Sequence, residues 1–167
     1  MLPLDDPRWR ELSHRNWRDG SLAGDPDAPF VPDVLARLYE APQDTGLFSG
    51  MWPYLCSEGT TYAAAYAAIP HIVRIAATLD RESRADYLIF VGFAVIYATP
   101  EAGDAYAIKE YLRDGFIQAK REALPLILET LEVAEDGAIV RSLLAGAAAL
   151  SGHPRLGAAV ESLDLDE

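Results

Sequence analysis

Three histidines, one cysteine and 26 carboxylates are the side chains from which this 167-residue sequence could assemble a reactive site. His14, His71 and His153 lie far apart; His71 and His153 have no second ligand-type residue at the helical spacing of three or four, and His14 has Glu11 alone. A zinc site needs three or four convergent N, S or O ligands, so the spacing offers no metal site and no bound cofactor is expected. Cys56 follows the apolar run Met51-Trp52-Pro53-Tyr54-Leu55 without an adjacent base to convert thiol to thiolate, and reads as a buried, inert thiol. Ser57, Thr60 and Thr61 read as helix-start residues, whose side-chain oxygens satisfy free backbone N–H groups. The stretch Ser57-Glu58-Gly59-Thr60-Thr61 places one glycine before a helix, far short of a phosphate-binding loop. Among the carboxylates, Asp104 and Glu110 do not share a helix face, whereas Glu129 and Glu132, three apart, do. The grouping an enzyme could use is Glu58, His71 and Arg74 with carboxylates of neighbouring helices, in a small hydrolase-like site.

Charge is the more informative property. The formal net charge is −12, and from Glu129 to Glu167 eight carboxylates stand against Arg141 and Arg155, which concentrates half of that charge in the last part of the chain. Binding to nucleic acid or to an anionic membrane surface requires a basic patch to displace counterions, so neither is expected. A basic protein partner is, because complementary charge speeds association and selects the partner. The residues expected to contact it are Glu58, His71, Arg74, Glu129, Glu132, Glu135 and Asp136. The longest apolar run, Tyr87 to Ala98, is shorter than the roughly 20 residues that cross a bilayer. A single cysteine excludes an internal disulfide framework and fits a reducing compartment. Met1-Leu2-Pro3-Leu4-Asp5-Asp6 lacks the basic region and apolar run of a signal peptide. Together these lead to the expectation of a cytoplasmic protein, monomeric or weakly dimeric.

The elements that must position these residues read as helices throughout. Tyr62, Tyr66, Ile69, Val73 and Ala76 recur at helical spacing, with Thr60, Ala64, Ala67, His71, Arg74 and Thr78 forming a small or polar face. Pro70 should bend that helix. A polar corner at Asp80-Arg81-Glu82-Ser83 precedes a second helix, Arg84 to Ala98, apolar all round and therefore central. Pro100 opens a further helix, interrupted at Asp114-Gly115; Ile117 to Glu132 continues it, bent at Pro125. Ala138 to Ser151 and a short helix from Pro154 complete the chain. Before Gly50, a short helix is expected around residues 7–18, a loop over 20–29, a helix from Pro32, and a loop over 42–50 followed by a helical turn at 51–56. Trp9 and Trp17 either anchor this irregular arm or form an exposed aromatic surface for self-association.

Ala68-Ile69-Pro70-His71-Ile72-Val73 and Ala123-Leu124-Pro125-Leu126-Ile127-Leu128 match as small–aliphatic–Pro–x–aliphatic–aliphatic, each followed by an acidic corner and an apolar helix with a central glycine, Gly92 or Gly146. Two such hairpins predict an all-α fold, a short HEAT-like α-solenoid or right-handed stack of antiparallel hairpins with about six to eight helices. The expected organisation is one domain: an irregular arm over 1–49, helix pairs over 50–163 and an acidic tail at 164–167.

The run Trp52, Leu55, Glu58-Gly59-Thr60-x-Tyr62-x-Ala64 and Ala68-x-Pro70-x-Ile72 resembles a motif of bacterial HEAT-repeat-like proteins, in which a Trp precedes Gly-Thr-x-Tyr and an Ala-rich helix ending in Pro and an aliphatic pair. Members commonly carry His-Gln before the Gly-Thr where this chain has Ser57-Glu58, so any role of that histidine is missing here. The likeness covers residues 50–80 well, 81–155 by general character and 1–49 not at all. It implies an α-solenoid interaction protein without catalytic residues, and similar small helical proteins include immunity proteins that stand beside bacterial toxins. The expected function is therefore a non-enzymatic protein–protein interaction module of the immunity or antitoxin type. The hydrolase-like site and a structural homo-oligomer subunit are the alternatives.

Overall fold

The computed structural model of the protein describes residues 1–13, 30–57, 59–98 and 107–164. A 3₁₀ turn at Pro7–Glu11 is followed by α1 (Val31–Glu40), α2 (Thr45–Leu55), two short strands at Cys56–Ser57 and Thr60–Thr61, α3 (Ala63–Ala76), α4 (Ala85–Ile96), α5 (Glu110–Leu131), α6 (Gly137–Leu150) and α7 (Pro154–Glu161). The class is all-α, with the two strands as the only extended pair among the described residues.

The helices associate in consecutive pairs. α1 lies against α2, α3 against α4, and α5 against α6; the first helices of the pairs touch in the order α1, α3, α5, and α4 packs on both α2 and α6. α7 closes over α6 and the neighbouring part of α4. The core runs between these layers, with α3 buried everywhere except Arg74. Between α2 and α4, Phe48 stacks on Tyr87 at 4.2 Å and meets Phe90 edge-on at 5.6 Å, an arrangement favoured by the ring quadrupoles.

Several local expectations are corrected. The segment 42–50 is not all loop: Asp44 accepts the N–H of Leu47 as an N-cap, and α2 begins at Thr45 and runs through Gly46, Gly50 and Pro53. Phe48, Met51 and Leu55 bury one helical face, and that burial outweighs the roughly 1 kcal/mol that each glycine costs a helix. Thr60 and Thr61 do not start α3. They pair with Ser57 and Cys56 across a tight turn in which Gly59 adopts φ = 70°, and the Thr61 hydroxyl donates to the Ala94 carbonyl of α4 at 2.8 Å. α3 starts at Ala63, and its first free N–H groups go to a residue 50 positions earlier: Ala63 N–H donates to Ser13 Oγ (3.2 Å) and Ala64 N–H to the Ser13 carbonyl (3.1 Å). α5 is continuous through Asp114-Gly115 and through Pro125, just as α3 continues through Pro70. Gly115 is there for space, since a Cβ on it would stand 2.9 Å from the Met1 nitrogen. The helix expected around residues 7–18 is the 3₁₀ turn, capped by the Asp6 carboxylate on the Arg8 N–H; its remainder, including His14 and Trp17, lies outside the described residues, as do the loop over 20–29 and the start of the helix expected at Pro100.

The two glycines matched in the sequence meet one another. A Cβ on Gly92 would fall 2.5 Å from Gly146 Cα, and one on Gly146 would fall 3.1 Å from Gly92 Cα. Each side-chain direction therefore points at the other helix. In a purely translational stack, equivalent positions face the same way, so this pair marks the crossing of α4 and α6 and sets no repeat register. Close approach at that crossing is what glycine permits.

Candidate functional site

The sequence residues expected to act together fall into two places. His71 is in the core. Its Nε2 lies 2.8 Å from the Leu2 carbonyl, which can only accept, so Nε2 carries the proton and Nδ1 accepts from the Tyr39 hydroxyl at 2.9 Å. The Trp9 ring stands 6.1 Å from the imidazole and is itself 4% exposed, which makes Trp9 an anchor of the arm and removes it from any exposed aromatic surface. Burial lowers the His71 pKa, partly opposed by the Leu2 hydrogen bond and reinforced by Arg74. Arg74 itself is exposed, and Glu58 lies outside the described residues. Ala64, Ala67 and His71 on the small face of α3, where a substrate cleft would have been needed, are buried, and only the ends of that face at Thr60, Arg74 and Thr78 reach the surface.

Cys56 is equally unsuited to nucleophilic work. Burial pushes its thiol up to about 12, only partly offset by the hydrogen bond from Sγ to Thr61 Oγ1 at 3.7 Å. The neighbouring Tyr66 hydroxyl is also buried, pushed up to about 12 by burial. Among the described residues no group of three or more His, Cys, Asp or Glu side chains is placed to hold a metal ion.

The acidic residues expected at the other place do converge, at the corner where the turn before α4 meets the turn between α5 and α6. Arg84, with only 5% of its side chain exposed, donates from Nε to Thr130 Oγ1 (2.9 Å) and from Nη2 to Glu129 (2.8 Å) and the Leu126 carbonyl (3.2 Å). Arg81 binds Glu132 at 2.8 Å on the surface. The spacing of three between Glu129 and Glu132 is thus answered by the spacing of three between Arg81 and Arg84, and both carboxylates are spent inside the chain. Hydrogen bonding to Arg84 holds the Glu129 carboxyl below its ordinary range. Asp80 shapes the turn by accepting the N–H groups of Glu82 and Ser83 and the Ser83 hydroxyl, which lowers its pKa. Asp136 is the N-cap of α6, accepting from the Ala138 and Ile139 N–H groups at 2.9 and 3.0 Å.

What remains is a cleft of about 360 Å³. Ala85, Val133, Ala134 and Ile139 give it an apolar lining; Glu82, Glu135 and Asp136 are its exposed carboxylates, with Arg81 the one cation among them. An apolar lining below carboxylates suits a long cationic side chain, whose methylenes bury while its head meets the charges. Thr130, also in the lining, is committed: it donates to Leu126 and accepts from Arg84. In the sequence Arg81 and Glu82 read only as part of a polar corner and Arg84 as the start of a helix; the paired spacings 81/84 and 129/132 are the signal that joins them to the site. Across family models, curated proteins and solved structures, no match to this chain is found.

Proposed function

We propose that the chain is a protein-binding module of stacked, HEAT-like helix pairs that docks a basic partner at the corner between α3–α4 and α5–α6. The observation that carries this reading is the cleft itself, in which Glu82, Glu135 and Asp136 border an apolar lining where the turn before α4 meets the turn between α5 and α6. Of the acidic residues first considered, Glu135 and Asp136 offer charge to a partner, while Glu129 and Glu132 hold the corner through Arg84 and Arg81. The partner contributes a lysine or arginine side chain to the cleft, and the surplus of acid around it accelerates encounter. Immunity- or antitoxin-type capture of a basic protein is the role this supports best, with the alternation of helix pairs as its scaffold.

The test uses the triple variant Glu82→Gln, Glu135→Gln, Asp136→Asn, in which Asn keeps the cap of α6. A basic protein bound by the wild type should be captured far less by the variant, and its wild-type association should slow as salt rises. Equal capture by both proteins, or association indifferent to salt, would remove this cleft as the docking site.

A further inference from the structure

The opening segment, residues 1–13, lies along α3 in the opposite direction, from the His71 turn to the first turn. Its two ends are tied to that helix: the Leu2 carbonyl to His71 Nε2, and Ser13 to the N–H groups of Ala63 and Ala64. Between these ties, Leu2, Trp9, Leu12 and Ser13 are buried, and Trp9 Nε1 donates to the Pro3 carbonyl at 2.8 Å to hold the segment's own shape. α5 forms the other wall, with Gly115 against Met1 and Tyr111 under the Arg8 guanidinium at 4.5 Å.

We propose that this segment is a proton-released clasp, detached from α3 when His71 takes up a second proton and before the rest of the fold opens. With one ring nitrogen donating to Leu2 and the other accepting from Tyr39, the neutral imidazole is fully used. A second proton turns Nδ1 into a donor aimed at the Tyr39 hydroxyl and buries a cation. Among the described residues, the groups bearing on the ring supply no anion to balance it. Tyr39 from α1 is a neutral phenol, Arg74 from α3 and the Met1 amino group are cations, and α5 meets the segment beside Pro70 with Gly115. Release lets the imidazolium reach water and the segment leave.

Hydrogen exchange on the full chain tests this. The amides of Ala63 and Ala64 report the clasp, because both donate to Ser13, while amides in the middle of α4 report global opening. Corrected for intrinsic rates, exchange at Ala63 and Ala64 should accelerate about tenfold per pH unit below pH ~6.5, the slope of one proton taken up on opening, with α4 protection unchanged. His71→Gln, which keeps a neutral donor for Leu2, should flatten that slope. Exchange at 63–64 in step with α4 at every pH, or an unaltered slope in His71→Gln, would overturn the proposal. Should that variant not fold, the wild-type His71 ring resonances decide. Titration of the ring together with loss of protection at 63–64 supports the clasp, and titration with protection retained refutes it.

Discussion

At the scale of single residues, the same type of side chain has opposite consequences in different surroundings. Arg81 and Arg84 each bind one glutamate at 2.8 Å, but Arg84 is buried against Thr130 and Leu126 while Arg81 is half-exposed. Arg84→Met should destabilise the fold by about 1–3 kcal/mol, because hydrogen bonds from a buried charged donor are lost. Arg81→Met should change stability by only about 0–1 kcal/mol. Paired urea titrations check the contrast, and equal effects would contradict this account of the corner. Gly92→Ala is the complementary case, since its Cβ would collide with backbone rather than with a side chain able to swing away. The helices must separate, at a cost of about 1–3 kcal/mol, read as a lower urea midpoint with an unchanged slope. The sequence marked Gly92 and Gly146 as matched positions, yet it could not show that they touch, because helical spacing gives a direction on one helix and not the orientation of its neighbour.

At the scale of elements, what was legible followed from side-chain periodicity, and what was not depended on contacts from far along the chain. α3, α4 and α6 match their apolar patterns closely, and the matched prolines Pro70 and Pro125 each lie inside a helix, α3 and α5. α2 was obscured by its glycines. The start of α3 was misplaced because its cap comes from Ser13, 50 residues away, a partner no local pattern contains. α6, by contrast, is capped by its own Asp136. Asp136→Ala should therefore lower stability by about 1 kcal/mol and Asp136→Asn by little, as thermal melts of both variants will show. The candidate site was half legible: Glu135 and Asp136 stood out, but Glu82 read only as part of a polar corner, and the pairing of Glu129 and Glu132 required the arginines that the fold brings to them.

At the scale of the whole molecule, acid acts twice. His71 has a lowered folded-state pKa, so the unfolded chain binds the extra proton first and stability falls as pH drops below ~6.5. Asp6, Asp80 and Glu129 have carboxyls held low by hydrogen bonding, Asp6 at about 2, and their contributions are lost at lower pH as each protonates. Melting temperature should be level near pH 7–8, decline first below pH ~6.5 and decline further in the carboxylate range; His71→Gln should erase the first decline alone. The long reach of the Ser13 cap also bears on the order in which the fold is made. The surface that receives residues 1–13 exists only once α3 and α5 have come together, so the segment at the head of the chain is the last to settle. Ser13→Gly should then leave the refolding rate nearly untouched and quicken unfolding, the signature of a contact absent from the transition state.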